Sequence, residues 1–339
     1  MILLTSPVQV GHLRLKNRLV MPPMATSKAE NGKVTPELIH YYQEKSAGGA
    51  LGLIIMEHSF ISAEGQASAN QTSISSDEDI VGLRELTAAI HANGSPVFAQ
   101  LNHAGSAAKE EVTGYVPLAP SVVKHPKAKD ECLPKAMTAQ DLEKVIADFK
   151  EAARRAQAAG FDGVEIHSAH GYLLNQFYSP LTNRRTDDYG GSLENRIRLH
   201  CQIIEAIRSQ VGAEYPLALR LGACEGLENG STLADAISAC AAFEKAGVDL
   251  IDITGGLGGY VRPGHSEQGY FQDYSAAIKQ SVSIPVLLTG GITEVSAAEA
   301  LLQSRKADLI GVGRAILKDS GWAKRQSPLS YKTMKFLTA

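Results

Sequence analysis

The chain has 339 residues, of which 44% are hydrophobic and 20% are charged, a composition typical of a globular protein. Its net charge of -3 disfavours a dedicated nucleic-acid-binding protein, which would usually be basic. No apolar run is long enough to span a bilayer, and the short apolar stub at the N-terminus has no basic region before it. We therefore expect a cytoplasmic protein with no nucleic-acid partner and no membrane partner.

The spacing of the cysteines gives no support to a metal centre. The four cysteines, Cys132, Cys201, Cys224 and Cys240, are scattered, and no two of them form a C-x-x-C pair. A zinc ribbon or an iron–sulfur cluster would need such pairs or clusters. The sequence therefore predicts reduced thiols and no bound metal.

Short apolar runs alternate with longer amphipathic runs along the whole chain. Each apolar run is rich in aliphatic residues and is followed by a segment with helical spacing. In chain order the eight apolar runs are RLVMPPM, LGLIIME, PVFAQL, DGVEIH, PLALRL, DLIDI, PVLLT and DLIGV. Glycine ends the helix just before several of them, as in AAGFDGVEI and KAGVDLIDI. The pattern indicates eight strand-then-helix units.

Eight such units without a domain-scale linker predict an α/β fold of the (β/α)8 TIM-barrel type. The alternative is a doubly wound open sheet, but its G-x-G-x-x-G turn is missing after the early strands. We expect a single domain over residues 1–325 and a C-terminal tail over residues 326–339. Residues 104–137, after the third strand, form too long a connection for a simple loop, and they predict a lid or hairpin over the barrel mouth.

A barrel places its functional residues where the strands end, because the loops there surround the active site. The residues that follow the first two strands are Pro23, Met24, Ala25 and His58. The third and fifth strands end in polar residues, Gln100 and Arg220. Together they suit the polar edge of a flat heteroaromatic ligand, because an amide can donate and accept while an arginine stabilises negative charge on a reduced ring.

The last two strands end in glycines. Gly291 follows the seventh strand, and Gly313 and Arg314 follow the eighth. Glycine loops expose backbone N–H groups, the start of a helix adds its dipole, and the guanidinium adds a fork of donors. Tight turns alone would also explain the glycines, but with the arginine the pattern favours a phosphate-binding site, which barrels often have at this position.

Histidines gather after the fourth strand, in the run EIHSAHGYLLNQFYSPLTNRRTDDYGGSLENR. His167 and His170 are spaced i, i+3, and on one helical turn both could donate a hydrogen bond to one carbonyl oxygen. Tyr172 would then be placed as a general acid. With His58 and His103, the histidines also allow a metal-dependent hydrolase barrel, although the first strand has no His-x-His and no late strand ends in an obvious acidic ligand.

These residues resemble the Old Yellow Enzyme family of FMN-dependent ene-reductases, and in particular its bacterial branch with two histidines. The similarity runs from NRLVMPPM to GVGRAILKD, and its most specific part is the run over residues 165–196. QLNHAG and GVGR add independent support. The resemblance implies one FMN on the barrel and NAD(P)H as the reductant.

The resemblance also assigns roles to single residues. The flavin ring would be bordered by Pro23, Met24, Ala25 and His58. Gln100 would hold the pyrimidine edge of the ring, and Arg220 would lie near its N1 and O2 atoms. The phosphate would be bound by Gly291, Gly313 and Arg314. His167 and His170 would bind the carbonyl oxygen of an α,β-unsaturated carbonyl substrate, and Tyr172 would protonate its α carbon. One binding spot for both substrates implies a ping-pong sequence.

The chain departs from the family's pattern at two positions beside the flavin. Ala25 stands where the family often has Cys or Thr, and His58 is bulkier than the small residue that usually follows the second strand. No cysteine cluster follows the barrel, so we expect electrons to come directly from NAD(P)H or another soluble donor. Relatives are usually dimers or tetramers, and a homo-oligomer is expected.

Three alternatives stay open at this point. In the first, the protein binds a flavin but does not reduce alkenes, and it acts as an NAD(P)H:flavin or quinone oxidoreductase. The second is the metal-dependent hydrolase barrel, and the third is a barrel that binds a phosphorylated ligand without catalysis.

Overall fold

The computed structural model describes residues 2–127 and 132–325, and the expected C-terminal tail lies outside these ranges. Eight parallel strands form a closed barrel in which each strand pairs with its neighbours in chain order and the last pairs with the first. The barrel strands are Leu19–Met21 (β1), Leu53–Phe60 (β2), Val97–Asn102 (β3), Gly163–Ser168 (β4), Leu217–Gly222 (β5), Leu250–Thr254 (β6), Val286–Thr289 (β7) and Leu309–Gly311 (β8). The predicted (β/α)8 fold is therefore confirmed.

After each strand, a helix packs on the outside of the barrel. These helices are Pro36–Ser46 (α1), Asp79–His91 (α2), Ala139–Ala158 (α3), Leu193–Val211 (α4), Leu233–Ala246 (α5), Gln272–Lys279 (α6), Val295–Gln303 (α7) and Arg314–Lys318 (α8). Several begin where the sequence places a capping residue: Thr138 and Asp141 form a capping box at α3, and Ser192 caps α4. In the described part of the chain, no helix combines the length and apolarity needed to cross a bilayer.

A hairpin closes the amino-terminal end of the barrel. Its strands, Val8–Val10 and Leu13–Leu15, pair antiparallel, and Val10 and Leu15 are buried against the apolar side chains that fill the barrel interior. That interior is packed by aliphatic residues and Phe98 from seven of the eight strands, so it is a core and not a pore. A ligand can therefore reach the barrel only from the carboxyl ends of the strands.

The long connection after β3 differs from the hairpin that the sequence predicts. Its two short strands, Leu118–Ala119 and Lys135–Ala136, pair in parallel, so the chain crosses over between them and does not turn back tightly. A tight turn would bring the second strand back antiparallel, whereas more than a dozen residues separate these two. Arg185 holds the pair in place by donating to the carbonyl oxygens of Pro120 and Met137, at 3.1 and 2.7 Å. The role of this segment as a lid stays a prediction.

Candidate active site

A cavity of about 600 Å³ lies at the carboxyl ends of the strands, a size ordinary for a cofactor or small-molecule site. Every residue that the sequence assigned to the site lines it. These residues are Pro23, Met24, Ala25, His58, Gln100, His167, His170, Tyr172, Arg220, Gly291, Gly313 and Arg314. His103 does not line the cavity, because it is buried and its Nδ1 accepts a hydrogen bond from the backbone N–H of Gly105.

The two histidines after β4 meet, but not through the helical turn that the spacing suggested. His167 is a residue of β4 itself, and His170 has a left-handed backbone with φ of 61°. The tight turn between them brings their rings edge to face with centroids 5.0 Å apart. Nε2 of His170 lies 3.0 Å from Oγ1 of Thr254 at the end of β6, which fixes the ring against a neighbouring strand. The two histidine rings therefore lie together, as the sequence indicated, but through this left-handed turn and not through a shared helical turn.

The turn that carries Tyr172 is held by buried amides. Gly171, with φ of 82°, donates its N–H to Oδ1 of Asn175 at 2.8 Å and accepts from Nε2 of Gln176 at 2.6 Å. Asn175 and Gln176 are fully buried in the short helix Leu173–Tyr178. They were not singled out in the sequence, although they follow the histidines directly in HGYLLNQF. The rings of Tyr172 and His167 are 5.2 Å apart, and the hydroxyl of Tyr172 makes no hydrogen bond to a described residue.

Burial keeps the acid–base groups of this wall neutral at physiological pH. It lowers the pKa of His58 to about 4, and the positive charge of Arg220 adds to the effect. Burial likewise holds the pKa of His167 and of His170 well below the ordinary value, and it raises the pKa of Tyr172. Each neutral imidazole carries one N–H, so each histidine can donate one hydrogen bond, while Tyr172 keeps its proton.

The strands beside this wall carry polar and charged groups that the barrel core buries, and Arg220 on β5 is the register partner of His167 on β4. Nε2 of Gln100 donates to Oε2 of Glu165 at 2.6 Å, and its amide oxygen is left without a partner among the described residues. Nε of Arg220 lies 3.0 Å from Oδ2 of Asp252, and the terminal nitrogens of this arginine make no hydrogen bond to a described residue. Burial raises the pKa of both carboxyl groups, with the neighbouring Asp252 adding to the effect on Glu165.

Glu165 and Asp252 were not predicted as site residues. Both are acidic residues inside otherwise apolar strands, DGVEIH and DLIDI, and that contrast was the available signal. One carboxylate oxygen of Glu165 is buried without a hydrogen-bond partner in the described residues. A buried ion pair and an orphaned oxygen are costly in a folded protein, so their presence under the cavity indicates a functional site.

The glycines after β7 and β8 meet at the far end of the cavity. Gly291 has φ of 68°, and a Cβ there would lie 2.7 Å from the ring of Tyr270, so only glycine fits without displacing that ring. Arg314 begins α8, and its exposed side chain forms no ion pair with a described residue. An unpaired guanidinium beside a glycine turn is suited to a phosphate.

These features fit FMN. The free amide oxygen of Gln100 is an acceptor for the imide N–H of a flavin, and the terminal nitrogens of Arg220 are donors for its carbonyl edge. Arg314 and the glycine turns supply the cation and backbone N–H groups that a phosphate needs. Pro23, Met24 and Ala25 add an uncharged surface for the ring. For the metal alternative, the described ranges contain no group of three or more His, Cys, Asp or Glu residues placed to hold an ion.

Comparison with known proteins identifies the family of the chain. A sequence model of the NADH:flavin oxidoreductase / NADH oxidase family matches residues 3–329. An NADH oxidase of Thermoanaerobacter brockii is 39% identical over 329 residues, which cover 95% of this chain and 50% of that protein. An NADPH dehydrogenase of Halalkalibacterium halodurans is 42% identical over 323 residues, which cover 95% of this chain and 93% of that protein.

A solved structure extends the agreement to the fold. The Old Yellow Enzyme homologue of Zymomonas mobilis has a TM-score of 0.82 and 28% identity, over 95% of this chain and 91% of that chain. The chain spans about half the length of the NADH oxidase and nearly all of the dehydrogenase. Since the family match covers almost every residue, the chain belongs, as predicted, to the NADH:flavin oxidoreductase / NADH oxidase family of FMN proteins related to Old Yellow Enzyme.

Proposed function

We propose that the protein is an FMN-dependent NAD(P)H oxidoreductase that reduces the activated C=C bond of α,β-unsaturated carbonyl compounds. The observation that carries the proposal is the wall formed by His167, His170 and Tyr172. Two neutral imidazoles and one protonated phenol face the same cavity, and the ring of His167 lies 5.0 Å from that of His170 and 5.2 Å from that of Tyr172. This set offers two hydrogen-bond donors for one oxygen and an acid for a neighbouring carbon.

On this proposal, Gln100 and Arg220 hold the polar edge of the FMN ring, and Gly291, Gly313 and Arg314 hold its phosphate. When bound, FMN supplies two-electron chemistry by accepting a hydride from NAD(P)H and passing it to the alkene carbon β to the carbonyl. Because NAD(P)H and the alkene would use the same cavity in turn, we infer a ping-pong sequence.

The protein's own groups supply the polarisation and the proton. His167 and His170 bind the carbonyl oxygen, which draws electron density from the alkene and makes its β carbon electrophilic. Tyr172 gives its proton to the α carbon, and the raised pKa of its phenol keeps that proton in place at neutral and mildly alkaline pH. The hydrogen bonds at Gly171 fix the turn between the histidines and the tyrosine, and this turn fixes the relative positions of the three side chains.

The experiment has two steps, on purified protein with its cofactor. The first releases and identifies the chromophore, and we expect about one FMN per chain. The second reduces the protein with NADPH without oxygen and then adds cyclohexenone, other activated alkenes or a quinone. Reoxidation by alkenes supports the proposal. Reoxidation by quinones but by none of the alkenes would replace it with the flavin or quinone oxidoreductase, and a protein that takes up no FMN would reject both.

A further inference from the structure

His58 is directed into the cavity by an irregularity in β2. The pairing of β2 with β3 skips a residue between Met56 and Ser59, and a β-bulge of this kind changes the direction of the side chains within it. The ring of His58 lies 5.4 Å from that of Tyr172 and 6.2 Å from that of His167, measured between centroids. It therefore belongs to the same wall as the histidine pair.

Gln71 determines which nitrogen of His58 carries the hydrogen. Oε1 of Gln71 accepts from the backbone N–H of Ala67 at 2.6 Å, which leaves Nε2 as the atom facing His58. This Nε2 donates to Nδ1 of His58 at 2.6 Å and to its carbonyl oxygen at 3.1 Å. Nδ1 is thus an acceptor, and the hydrogen of the neutral ring lies on the other nitrogen. No described residue makes a hydrogen bond to that nitrogen, and His58 is one of the residues that line the cavity.

We propose that His58 is a third hydrogen-bond donor to the substrate's oxygen, with its Nε2–H presented to the cavity by Gln71. This inference rests on the proposed alkene reduction and adds a residue to it. The sequence indicated no role for Gln71, and it predicted only that His58 borders the flavin. In the structure, Gln71 contacts the ring of His58, and His58 lines the cavity beside His167 and Tyr172.

The chemistry of the reaction gives a third donor a use. A carbonyl oxygen has two lone pairs, which His167 and His170 can occupy. As the alkene takes up hydride at its β carbon, the C=O double bond becomes a single bond and the oxygen becomes an enolate oxygen with three lone pairs and negative charge. A third N–H can then donate a hydrogen bond to the additional lone pair of the enolate oxygen, which the carbonyl oxygen of the bound alkene does not have. Such a donor raises the rate of reduction more than it raises affinity for the alkene.

The test uses the FMN-loaded protein and two substitutions. His58→Leu removes the donor, and His58→Gln keeps an N–H at nearly the same place. Stopped-flow reoxidation by cyclohexenone should slow by about tenfold or more in His58→Leu, with the dissociation constant of the enone changed by less than about threefold. His58→Gln should recover most of the rate. Reoxidation by ferricyanide, which takes electrons from the reduced flavin without forming an enolate, should slow much less than reoxidation by cyclohexenone in His58→Leu.

A measurement on the unaltered protein tests the tautomer independently of activity. Nitrogen-15 NMR of histidine-labelled protein, with the His58 signal assigned by its loss in His58→Gln, should show the hydrogen on Nε2. A hydrogen on Nδ1 would overturn the proposal. So would enone rates that are equal in His58→Leu and the unaltered protein, or rates lost equally with enone and ferricyanide. If the unaltered protein is reoxidised by no alkene, the proposed function has failed before His58 is tested.

Discussion

Replacing Tyr172 by Phe separates the proton-donor role of this residue from its role in packing. The hydroxyl makes no hydrogen bond to a described residue, so its removal breaks none within the fold. We expect the free energy of unfolding to change by less than about 0.5 kcal/mol. Loss of a general acid slows a proton-coupled step by about 10²–10⁴-fold, which corresponds to roughly 3–5 kcal/mol of activation free energy.

The assay measures the two half-reactions separately by anaerobic stopped flow. Reduction by NADPH needs no proton from Tyr172 and should be nearly unchanged, while reoxidation by cyclohexenone should fall by the factor given above. Tyr270→Phe is a matched control, because Tyr270 also lines the cavity but its hydroxyl is engaged with the carbonyl oxygen of Tyr260 at 2.7 Å. That variant should lose about 1 kcal/mol of stability and little of the enone rate.

The pH dependence gives the same prediction a second check. Burial raises the pKa of Tyr172 and lowers that of the three cavity histidines, so none of these groups should change charge between about pH 6 and pH 9. The rate of enone reduction in the unaltered protein should therefore show no titration of these four groups over that interval, and Glu165, whose pKa burial raises to about 8, is the buried group under the cavity that titrates within it. Equal losses in both half-reactions of Tyr172→Phe, or a steep fall in the enone rate below pH 9 that persists in Glu165→Gln, would refute the reasoning.

Four further predictions concern the cofactor site and the core. Arg314→Gln should weaken FMN binding by about 10- to 100-fold. It should not lower the stability of the FMN-free protein, since Arg314 has no ion-pair partner in the described chain. An FMN affinity equal to that of the unaltered protein in a fluorescence titration would contradict this prediction. Asp252→Asn leaves the buried charge of Arg220 unpaired and should cost about 3 kcal/mol or more in urea unfolding; a cost below about 1 kcal/mol would show that the pair is not stabilising. Gly291→Ala forces a side chain into a left-handed turn against Tyr270 and should reduce both stability and FMN affinity, which a thermal melt with and without FMN would show. Burial lowers the pKa of His103 to about 4 and of His200 to about 3, so the unfolded chain binds protons that the folded chain does not. The free energy of unfolding should therefore fall as the pH drops from about 6.5 to 4, by about 1 kcal/mol per pH unit for each histidine. A free energy of unfolding that stays constant over this pH range in denaturant titrations would contradict the prediction.

The strand order and the membership of the cavity followed from the sequence. Eight apolar runs with helices between them leave few topologies, and a barrel brings the end of every strand to one face. Pro23 and Arg314 lie almost three hundred residues apart, yet both line the same cavity for this reason alone. The family was recognisable as well, because the run after β4 combines histidines, a tyrosine and a polar loop in one contiguous stretch.

The geometry within the cavity was decided by tertiary contacts. His167 and His170 face each other through a left-handed turn that Asn175 and Gln176 hold, which a rule of helical spacing could not describe. The parallel pairing in the segment after β3 likewise depends on a crossover that the length of this connection did not reveal.

What the sequence determined by itself is the fold, the family and the strand-end side chains that line the cavity, because periodicity and strand ends are local properties of the chain. What only the tertiary structure decided is the direction and protonation of those side chains. Gln71 comes from a loop outside the strand ends, and its contact with His58 exists only once β2 bulges and the loop folds back. Hydrogen-bond partners and burial act through space, so they set which nitrogen carries a proton and which groups stay neutral.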